Sequence, residues 1–167
     1  HDLVWWVSEP NNRIRELNLN TNTVSIVSNP TSGCSADAYL ATAQFEVIVA
    51  MTTKFNGQTT YIVDQSCFRI RSVRGFGYVT TVAGSGGATP GSAFGYAESR
   101  PVGPLGRLGT TEAIALDGMG NLVVSDYLSN NLIRKIDVDF KFLSTASATI
   151  TGGAHGVGIA TQSDETI

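Results

Sequence analysis

A strand–turn–strand unit recurs three times in the 167 residues and constrains the fold more than any other feature of the sequence. Each copy has a run of β-branched residues that ends at an acidic residue, then a polar turn, then an Ile-Arg pair. The copies are Val7–Leu17 (VSEPNNRIREL), Val63–Val73 (VDQSCFRIRSV) and Val124–Ile136 (VSDYLSNNLIRKI). Such a repeat predicts an architecture in which copies of one small sheet stack on each other.

Short apolar runs flank the repeated unit and extend it to four strands. The runs that follow the copies, which we interpret as outer strands, are Thr23–Val27, Tyr78–Val82 and Phe140–Ser144. The runs that precede two of the copies, which we interpret as inner strands, are Phe45–Met51 and Ala113–Leu116. The stretch Thr111–Asp137 is the best-preserved copy, because Asp-Gly, Gly-Asn and Asn-Asn pairs separate its apolar runs as in an antiparallel meander.

The apolar runs of two copies do not alternate strictly with polar residues. Val47–Val49 and Leu122–Val124 are continuous aliphatic triplets. Such triplets are typical of strands that are buried on both faces of a sheet. A single four-stranded sheet cannot bury its own two faces, so we expect several sheets to pack against one another.

The segment AIALDGMGNLVVSDYLSNNLIRKID, residues 113–137, resembles the NHL repeat, which is the four-stranded blade of a β-propeller. YIVDQSCFRIRSVRGFGYVTTVAGSG, residues 61–86, is similar to a second copy, and VWWVSEPNNRIRELNLNTNTVSIV, residues 4–27, to a third that lacks its inner strand. The chain departs from the family in turn length and in the long linker Ser85–Gly109. The resemblance implies an all-β fold of four-stranded antiparallel blades, with about 3–3.5 blades in this chain.

We therefore expect residues 1–167 to form a single NHL-like propeller segment. The expected parts are blade 1 at about 2–30, blade 2 at about 36–84, a linker at about 85–109, blade 3 at about 110–150, and a tail at 151–167. Within the tail, Gly156–Thr161 is a candidate inner strand of a further blade.

The expected number of blades is too small for an ordinary ring, since closed propellers have roughly 4–8. Either the tail closes a small ring with the first blade, or the chain is part of a larger propeller, and we favour the larger propeller. We hypothesise that open blade faces are exposed unless a protein partner covers them. That partner is either another copy of the chain or the remainder of the propeller.

Composition and charge exclude several classes of function. The net charge of -3 and the scattered basic residues argue against nucleic-acid binding, which needs a clustered Lys/Arg surface. No apolar run approaches the ~20 residues that span a bilayer, so we expect no membrane insertion. The opening Leu3–Val7 lacks the features of a signal peptide, as expected also of a mature domain whose signal has been removed.

The two cysteines, Cys34 and Cys67, lie 33 residues apart and leave two alternatives open, a disulfide or a pair of buried thiols. A zinc site needs more ligands, and the only histidines are His1 and His155. We therefore expect no metal from this set. A disulfide would fit an extracellular or secreted protein, which is the localisation we expect.

The repeated acidic and basic residues are candidates for a role common to all blades. The acidic residues are Glu9, Asp64 and Asp126, and the basic residues are Arg15, Arg71 and Arg134. We interpret the carboxylates as braces that accept backbone N–H groups of the turn that follows. The alternative is a ring of carboxylates that holds a cation at the propeller mouth. The arginines are expected to pair with acidic residues between blades or to cover apolar surface with their stems.

No pattern in the chain points to catalysis or to a cofactor. The run Gly84–Gly91 lacks the Gly-Lys-Ser/Thr of a phosphate-binding loop, and Asp117–Asn121 lacks the ligand spacing of a calcium loop, so we interpret them as a connection and a hairpin turn. A Ser–His–Asp triad is not expected with His155 in a Gly-rich tail.

We predict a non-catalytic protein-interaction or structural module, such as a building block of an extracellular assembly or filament. The alternative is a portion of a six-bladed propeller hydrolase or lyase whose catalytic residues lie outside this chain. The candidate interface residues are Trp5, Trp6, Phe94, Tyr96 and Leu105. Trp5 and Trp6 are adjacent on one strand, so they are expected to point to opposite faces of the sheet.

Overall fold

Three antiparallel β-sheets form the fold, which we describe from a computed structural model of the chain. The structure describes residues 3–8, 13–28, 31–54, 57–75, 77–84, 95–96, 108–126, 132–139, 142–147 and 158–161. The strands are β1 (Leu3–Ser8), β2 (Arg13–Asn18), β3 (Thr23–Ile26), β4 (Ala38–Tyr39), β5 (Ile48–Thr53), β6 (Thr59–Asp64), β7 (Arg69–Arg74), β8 (Tyr78–Ala83), β9 (Gly95–Tyr96), β10 (Thr111–Leu116), β11 (Leu122–Asp126), β12 (Leu132–Asp137) and β13 (Phe142–Ser147). A 3-10 helix, Gln65–Cys67, separates β6 from β7.

The strands pair as successive meanders. Sheet A has the order β1-β2-β3, sheet B the order β4-β8-β7-β6-β5, and sheet C the order β10-β11-β12-β13-β9. Sheets B and C each contain four long strands in chain order, with a two-residue strand added at the outer edge. All pairs are antiparallel, so the prediction of an all-β fold made of blade-like antiparallel sheets is confirmed.

Asp117–Asn121 is the tight turn that joins β10 to β11. The Asp117 carboxylate accepts hydrogen bonds from the backbone N–H groups of Met119 at 2.9 Å and Asn121 at 2.8 Å. Gly120 has a φ of +84°, a left-handed conformation that glycine adopts without steric cost. Lys135 on β12 forms an ion pair with the same carboxylate at 2.8 Å and so links the turn to β12. The segment is the hairpin turn that its Asp-Gly and Gly-Asn pairs predict.

Gly84 follows β8 and allows a close approach of two backbone segments. Its φ is +95°, and a Cβ atom there would lie 2.0 Å from the carbonyl oxygen of Phe68. Any larger residue would collide with this backbone oxygen. The first glycine of the run Gly84–Gly91 is therefore explained by packing, and residues 85–91 lie outside the described part of the chain.

Sheet B is buried on both faces, because sheet C covers one face and sheet A the other. The cluster between sheets B and C comprises Tyr61, Val63, Ile70, Val82, Ala83, Leu108, Ile114, Leu122, Val124, Ile136, Val138 and Leu143. The cluster between sheets A and B comprises Ile14, Leu40, Ala43, Phe45, Ile48, Ile62, Val73 and Val79, with Trp5, Val7 and Val27 packed against it. All residues of β6 are buried, as expected of a strand between two covered faces. The expectation of burial on both faces is wrong for the triplet Val47–Val49, because Ile48 is buried but Val49 is 40% exposed.

Of the tail, the structure describes residues 158–161, and these do not form a strand. The Thr161 hydroxyl donates a hydrogen bond to the carbonyl oxygen of Leu116, at the end of β10. These tail residues therefore lie beside the first long strand of sheet C.

The stacking of the sheets predicts which apolar side chains stabilise the fold. Ile70 is fully buried between sheets B and C, so Ile70→Ala should lower the free energy of unfolding by about 2–5 kcal/mol. Leu19 lies in the turn after β2 and is 54% exposed, so Leu19→Ala should change it by less than about 0.5 kcal/mol. Urea denaturation measures both values, and equal losses for the two variants would contradict the stacked arrangement.

Candidate interaction surface

The strand register defines which residues of the three sheets are equivalent. Arg15 lies opposite Trp6 in sheet A, and Arg71 lies opposite Ile62 in sheet B. In sheet C the corresponding pair is Arg134 and Val124. Residues directly opposite each other in an antiparallel pair share a face of the sheet. The repeated arginine therefore identifies the same face in each sheet, which we call the arginine face.

In sheets B and C the arginine face is covered by the preceding sheet. Ile62 belongs to the cluster that sheet B shares with sheet A, and Val124 to the cluster that sheet C shares with sheet B. Arg71 and Arg134 are fully buried on these faces. A buried guanidinium is tolerated only when its N–H groups find acceptors, so the partners of these two arginines are informative.

Arg71 holds the segment that precedes the first long strand of sheet B. Its guanidinium donates to the carbonyl oxygen of Gln44 at 3.0 Å and to that of Ala36 at 3.1 Å. It also lies 3.4 Å from the Asp37 carboxylate and 5.2 Å above the ring of Phe45. Burial lowers the pKa of Arg71 from its ordinary value, although the nearby Asp64 and Asp37 carboxylates oppose this shift.

Arg134 forms a buried ion pair within sheet C. Its guanidinium lies 3.1 Å from the Asp126 carboxylate, and both side chains are fully buried. Arg134 also donates to the carbonyl oxygen of Ser144 at 3.2 Å. Burial raises the pKa of Asp126 and lowers that of Arg134, and their mutual attraction opposes both shifts. The pair lies within one sheet, which differs from the expectation of pairing between blades.

The repeated carboxylates in sheets B and C accept backbone N–H groups from the segment that leads into the first long strand. Asp64 accepts from the N–H of Glu46 at 3.0 Å, and Asp126 from the N–H of Gly109 at 2.7 Å. We expected donors from the turn that follows each carboxylate, and the structure shows donors that lie 18 and 17 residues earlier in the chain. The carboxylates therefore brace the entry to the sheet, since strand pairing brings that entry beside them.

The register places Ser8 at the position of Asp64 and Asp126, because each lies two residues beyond the partner of the repeated arginine. Glu9, which the sequence alignment matched to these carboxylates, comes one residue later and lies outside the described residues. Turn lengths differ between the copies, so alignment of the acidic residues alone shifted the first copy by one position.

A disulfide joins Cys34 to Cys67, at the end of the 3-10 helix. Two further contacts hold the same loop. Arg69 donates to the carbonyl oxygen of Ser35 at 2.8 Å, and the Ser35 hydroxyl accepts the N–H of Gln44 at 2.8 Å. Together with Arg71, these contacts fix the segment between sheets A and B onto sheet B.

The arginine face of sheet A has no covering sheet in the described part of the chain. Two rows of side chains cross the three strands, Val4, Leu17 and Val24 in one and Trp6, Arg15 and Ile26 in the other, and the pair Ser8 and Arg13 lies beside them on the same face. Val4 and Ile26 are each 46% exposed, and Val24 is 54% exposed. Trp6, Arg15 and Leu17 are half-buried. We call these six residues the open face.

The candidate interface residues named from the sequence fall in three places. Trp6 lies on the open face, whereas Trp5 packs against the cluster between sheets A and B and donates its indole N–H to Glu16 at 2.7 Å. The two tryptophans therefore point to opposite faces of sheet A. Tyr96 is in β9, where it pairs with Phe142, and its side chain is not among those described. Phe94 and Leu105 lie outside the described residues.

Sequence reasoning missed four residues of the open face: Val4, Leu17, Val24 and Ile26. The available signal was weak: apolar and polar residues alternate in β3, but β1 is apolar at five consecutive positions and β2 has arginines at positions 13 and 15. It does not show which of the two faces of the sheet is left without a neighbour.

Neither a metal-binding cluster nor a membrane-spanning helix occurs among the described residues. No group of three or more His, Cys, Asp and Glu side chains in this part of the chain is arranged to hold a metal ion. No helix among these residues has the length and apolar character needed to cross a membrane.

Comparison with solved structures relates the fold to proteins of Bacteroides. A structural genomics protein of unknown function from Bacteroides thetaiotaomicron superposes with a TM-score of 0.66 at 15% identity, over 89% of this chain and 34% of that one. An auxiliary nutrient binding protein from the same species gives 0.61 at 17% identity, over 87% and 35%. A candidate phosphatase from that species gives 0.60 at 15% identity, over 89% and 35%.

These similarities concern the fold alone, which is that of a partial β-propeller. The chain spans about a third of the length of each of these proteins. No protein-family model and no curated protein matches the sequence.

The disulfide should contribute strongly to stability, because it closes a loop between residues 33 positions apart. A Cys34→Ser/Cys67→Ser double variant should lose about 3–4 kcal/mol of unfolding free energy through the greater freedom of its unfolded chain. Denaturation with and without dithiothreitol measures this. The reductant should destabilise the wild type and leave the double variant unchanged, and an equal response of the two proteins would count against the bridge.

Asp64 should make stability depend on pH in mildly acidic solution. Burial raises the pKa of its carboxyl from 3.8 to about 6 in the folded protein. Between these pH values the folded state holds a proton that the unfolded state has released. The free energy of unfolding should therefore fall as pH rises from about 4 to about 6, by up to about 3 kcal/mol.

The variant Asp64→Asn should lack this fall, and denaturation at pH 4, 5, 6 and 7 measures it. Asp117→Asn is the matched control, because hydrogen bonds from Lys135 and Asn121 outweigh burial and lower the pKa of Asp117. Asp117 stabilises the fold when ionised, so its removal should matter most at neutral pH. Parallel pH profiles for the wild type and Asp64→Asn would refute the assignment.

Proposed function

We propose that this chain is a non-catalytic protein-interaction module whose open face packs against a β-sheet of a partner. One observation carries the proposal. The arginine faces of sheets B and C are each covered by another sheet, and the equivalent face of sheet A is uncovered in the described part of the chain. The arginine face packs against a neighbouring sheet in both sheet B and sheet C, so the arginine face of sheet A is suited to pack against a sheet of a partner.

The chemistry of the open face supports docking of an apolar sheet. Five of its six side chains are apolar and the sixth is Arg15, and the register places a second charge, Arg13, beside it on the same face. Contiguous apolar patches on protein surfaces mark interaction sites, and tryptophan and arginine are enriched among the residues that dominate binding. Trp6 and Arg15 lie side by side in one row, so the face offers an aromatic anchor next to a charge.

The similarity to an auxiliary nutrient binding protein supports a binding role. We further propose that the blades are of the NHL type, on the resemblance of residues 113–137. The disulfide suits an oxidising environment, which supports an extracellular or secreted protein. A sheet face that binds a different surface of the next copy forms a heterologous contact, and such contacts extend into rings or filaments.

Sedimentation velocity over a concentration series tests the proposal. Wild-type protein should sediment as a dimer or larger species. Val24→Asp, which places a charge on the β3 side of the open face, should shift it to the 17.6 kDa monomer. Leu19→Asp is the matched control, because Leu19 and Val24 are both 54% exposed but Leu19 lies in the turn after β2. A wild type that remains a 17.6 kDa monomer throughout would overturn the proposal.

A further inference from the structure

Strand β1 has a free edge. Among the described residues it pairs with β2 alone. Its equivalents in the other sheets, β6 and β11, are each paired on both sides, because β5 and β10 occupy the position that is empty next to β1. Among the described residues, sheet A thus has no strand at the position that β5 and β10 occupy in sheets B and C.

The hydrogen bonds of Ile14 show which backbone groups of β1 face this edge. The Ile14 carbonyl accepts the N–H of Val27 at 3.0 Å, and its own N–H donates to the Ser28 hydroxyl at 2.8 Å, so the backbone of Ile14 points towards β3. Backbone direction alternates along an antiparallel strand, so Arg13, Arg15 and Leu17 point towards β1. Their partners are Ser8, Trp6 and Val4.

The remaining residues of β1 consequently direct their N–H and C=O groups away from β2. These are Leu3, Trp5 and Val7. An exposed row of this kind is a template for pairing with another strand.

The described residues also place no segment beside Arg15 like the one that Arg71 holds in sheet B. In sheet B, Arg71 donates to the carbonyl oxygens of Ala36 and Gln44, which precede the inner strand β5. Arg15 is half-buried and forms no ion pair with any residue that the structure describes. The unpaired edge of β1 and the surface around Arg15 could thus accommodate a strand together with the residues that precede it.

We propose that the free edge of β1 binds an extended aliphatic strand of a second polypeptide, antiparallel to β1 and similar in sequence to β5 and β10. This inference rests on the proposed interaction function and names the partner's contact element. Strands β5 and β10, IVAMTT and TEAIAL, define the chemistry, since they occupy the same position beside β6 and β11. The tail residues 158–161 do not fill the edge, because they contact β10 through Leu116.

The test uses the synthetic peptide GTTEAIALDG, which has the sequence of residues 109–118. The protein has two tryptophans, and both lie on β1, so intrinsic fluorescence reports directly on this strand. Titration with the peptide should give a saturable blue shift of the emission. A peptide N-methylated at alternate residues on the pairing edge should bind at least about tenfold more weakly, because it loses donors and gains steric bulk.

A pair of protein variants tests the edge itself. Leu3 is 42% exposed, and its N–H faces the free edge, so Leu3→Pro removes a donor there while keeping the pairing with β2. Leu3→Pro should lose peptide binding, and Leu3→Ala should retain it. Far-UV circular dichroism checks that both variants are folded.

Val24→Asp separates this inference from the proposed function, because it alters the open face and leaves the edge intact. It should bind the peptide as the wild type does. If no peptide shifts the fluorescence, or if the N-methylated peptide binds equally well, the edge proposal is wrong. If Val24→Asp nevertheless abolishes self-association of the protein, the proposed interaction function holds although the edge proposal fails.

Discussion

The fold depends on the fact that a β-sheet cannot cover its own two faces. Sheet B meets this constraint by packing between sheets A and C, with one apolar cluster on each side. Its strand β6 is buried along its full length as a result. In the described part of the chain, sheet A is covered on one side only, by the cluster that contains Trp5 and Ile14. The constraint that sheet B meets on both sides is therefore met on only one side of sheet A by these residues.

Buried charges at repeated positions determine how each sheet holds the chain that leads into it. Arg71 binds backbone carbonyls of the entry segment, and Asp64 and Asp126 bind its N–H groups. These groups are costly to bury and are tolerated because each finds partners from its own sheet. Arg15 occupies the same position in sheet A without the entry segment. In the described part of the chain, the missing neighbours of sheet A thus account together for the open face, for the edge of β1 that pairs with no strand, and for Arg15, which forms no ion pair there.

Most of the fold could be predicted from the sequence, because the strand–turn–strand repeat and its turn residues are local signals. The order of the long strands and the hairpin at Asp117–Asn121 followed from them. The partners of Asp64 and Asp126 could not be predicted, since the donors lie 18 and 17 residues away and approach only when the sheet has formed. In sheet A the position equivalent to Asp64 and Asp126 is Ser8 and not Glu9, and the sequence could not show this because turn length varies between copies. Two-residue strands such as β4 are too short for any periodicity to reveal.

Amide hydrogen exchange along β1, followed by NMR, tests the central claim that the first sheet is incomplete. If the edge is free, the amide of Trp6, which faces β2, should exchange slowly, whereas those of Trp5 and Val7 should exchange at rates close to those of an unstructured chain. Equal and strong protection of all three amides would show that a strand already occupies the edge and would contradict the account.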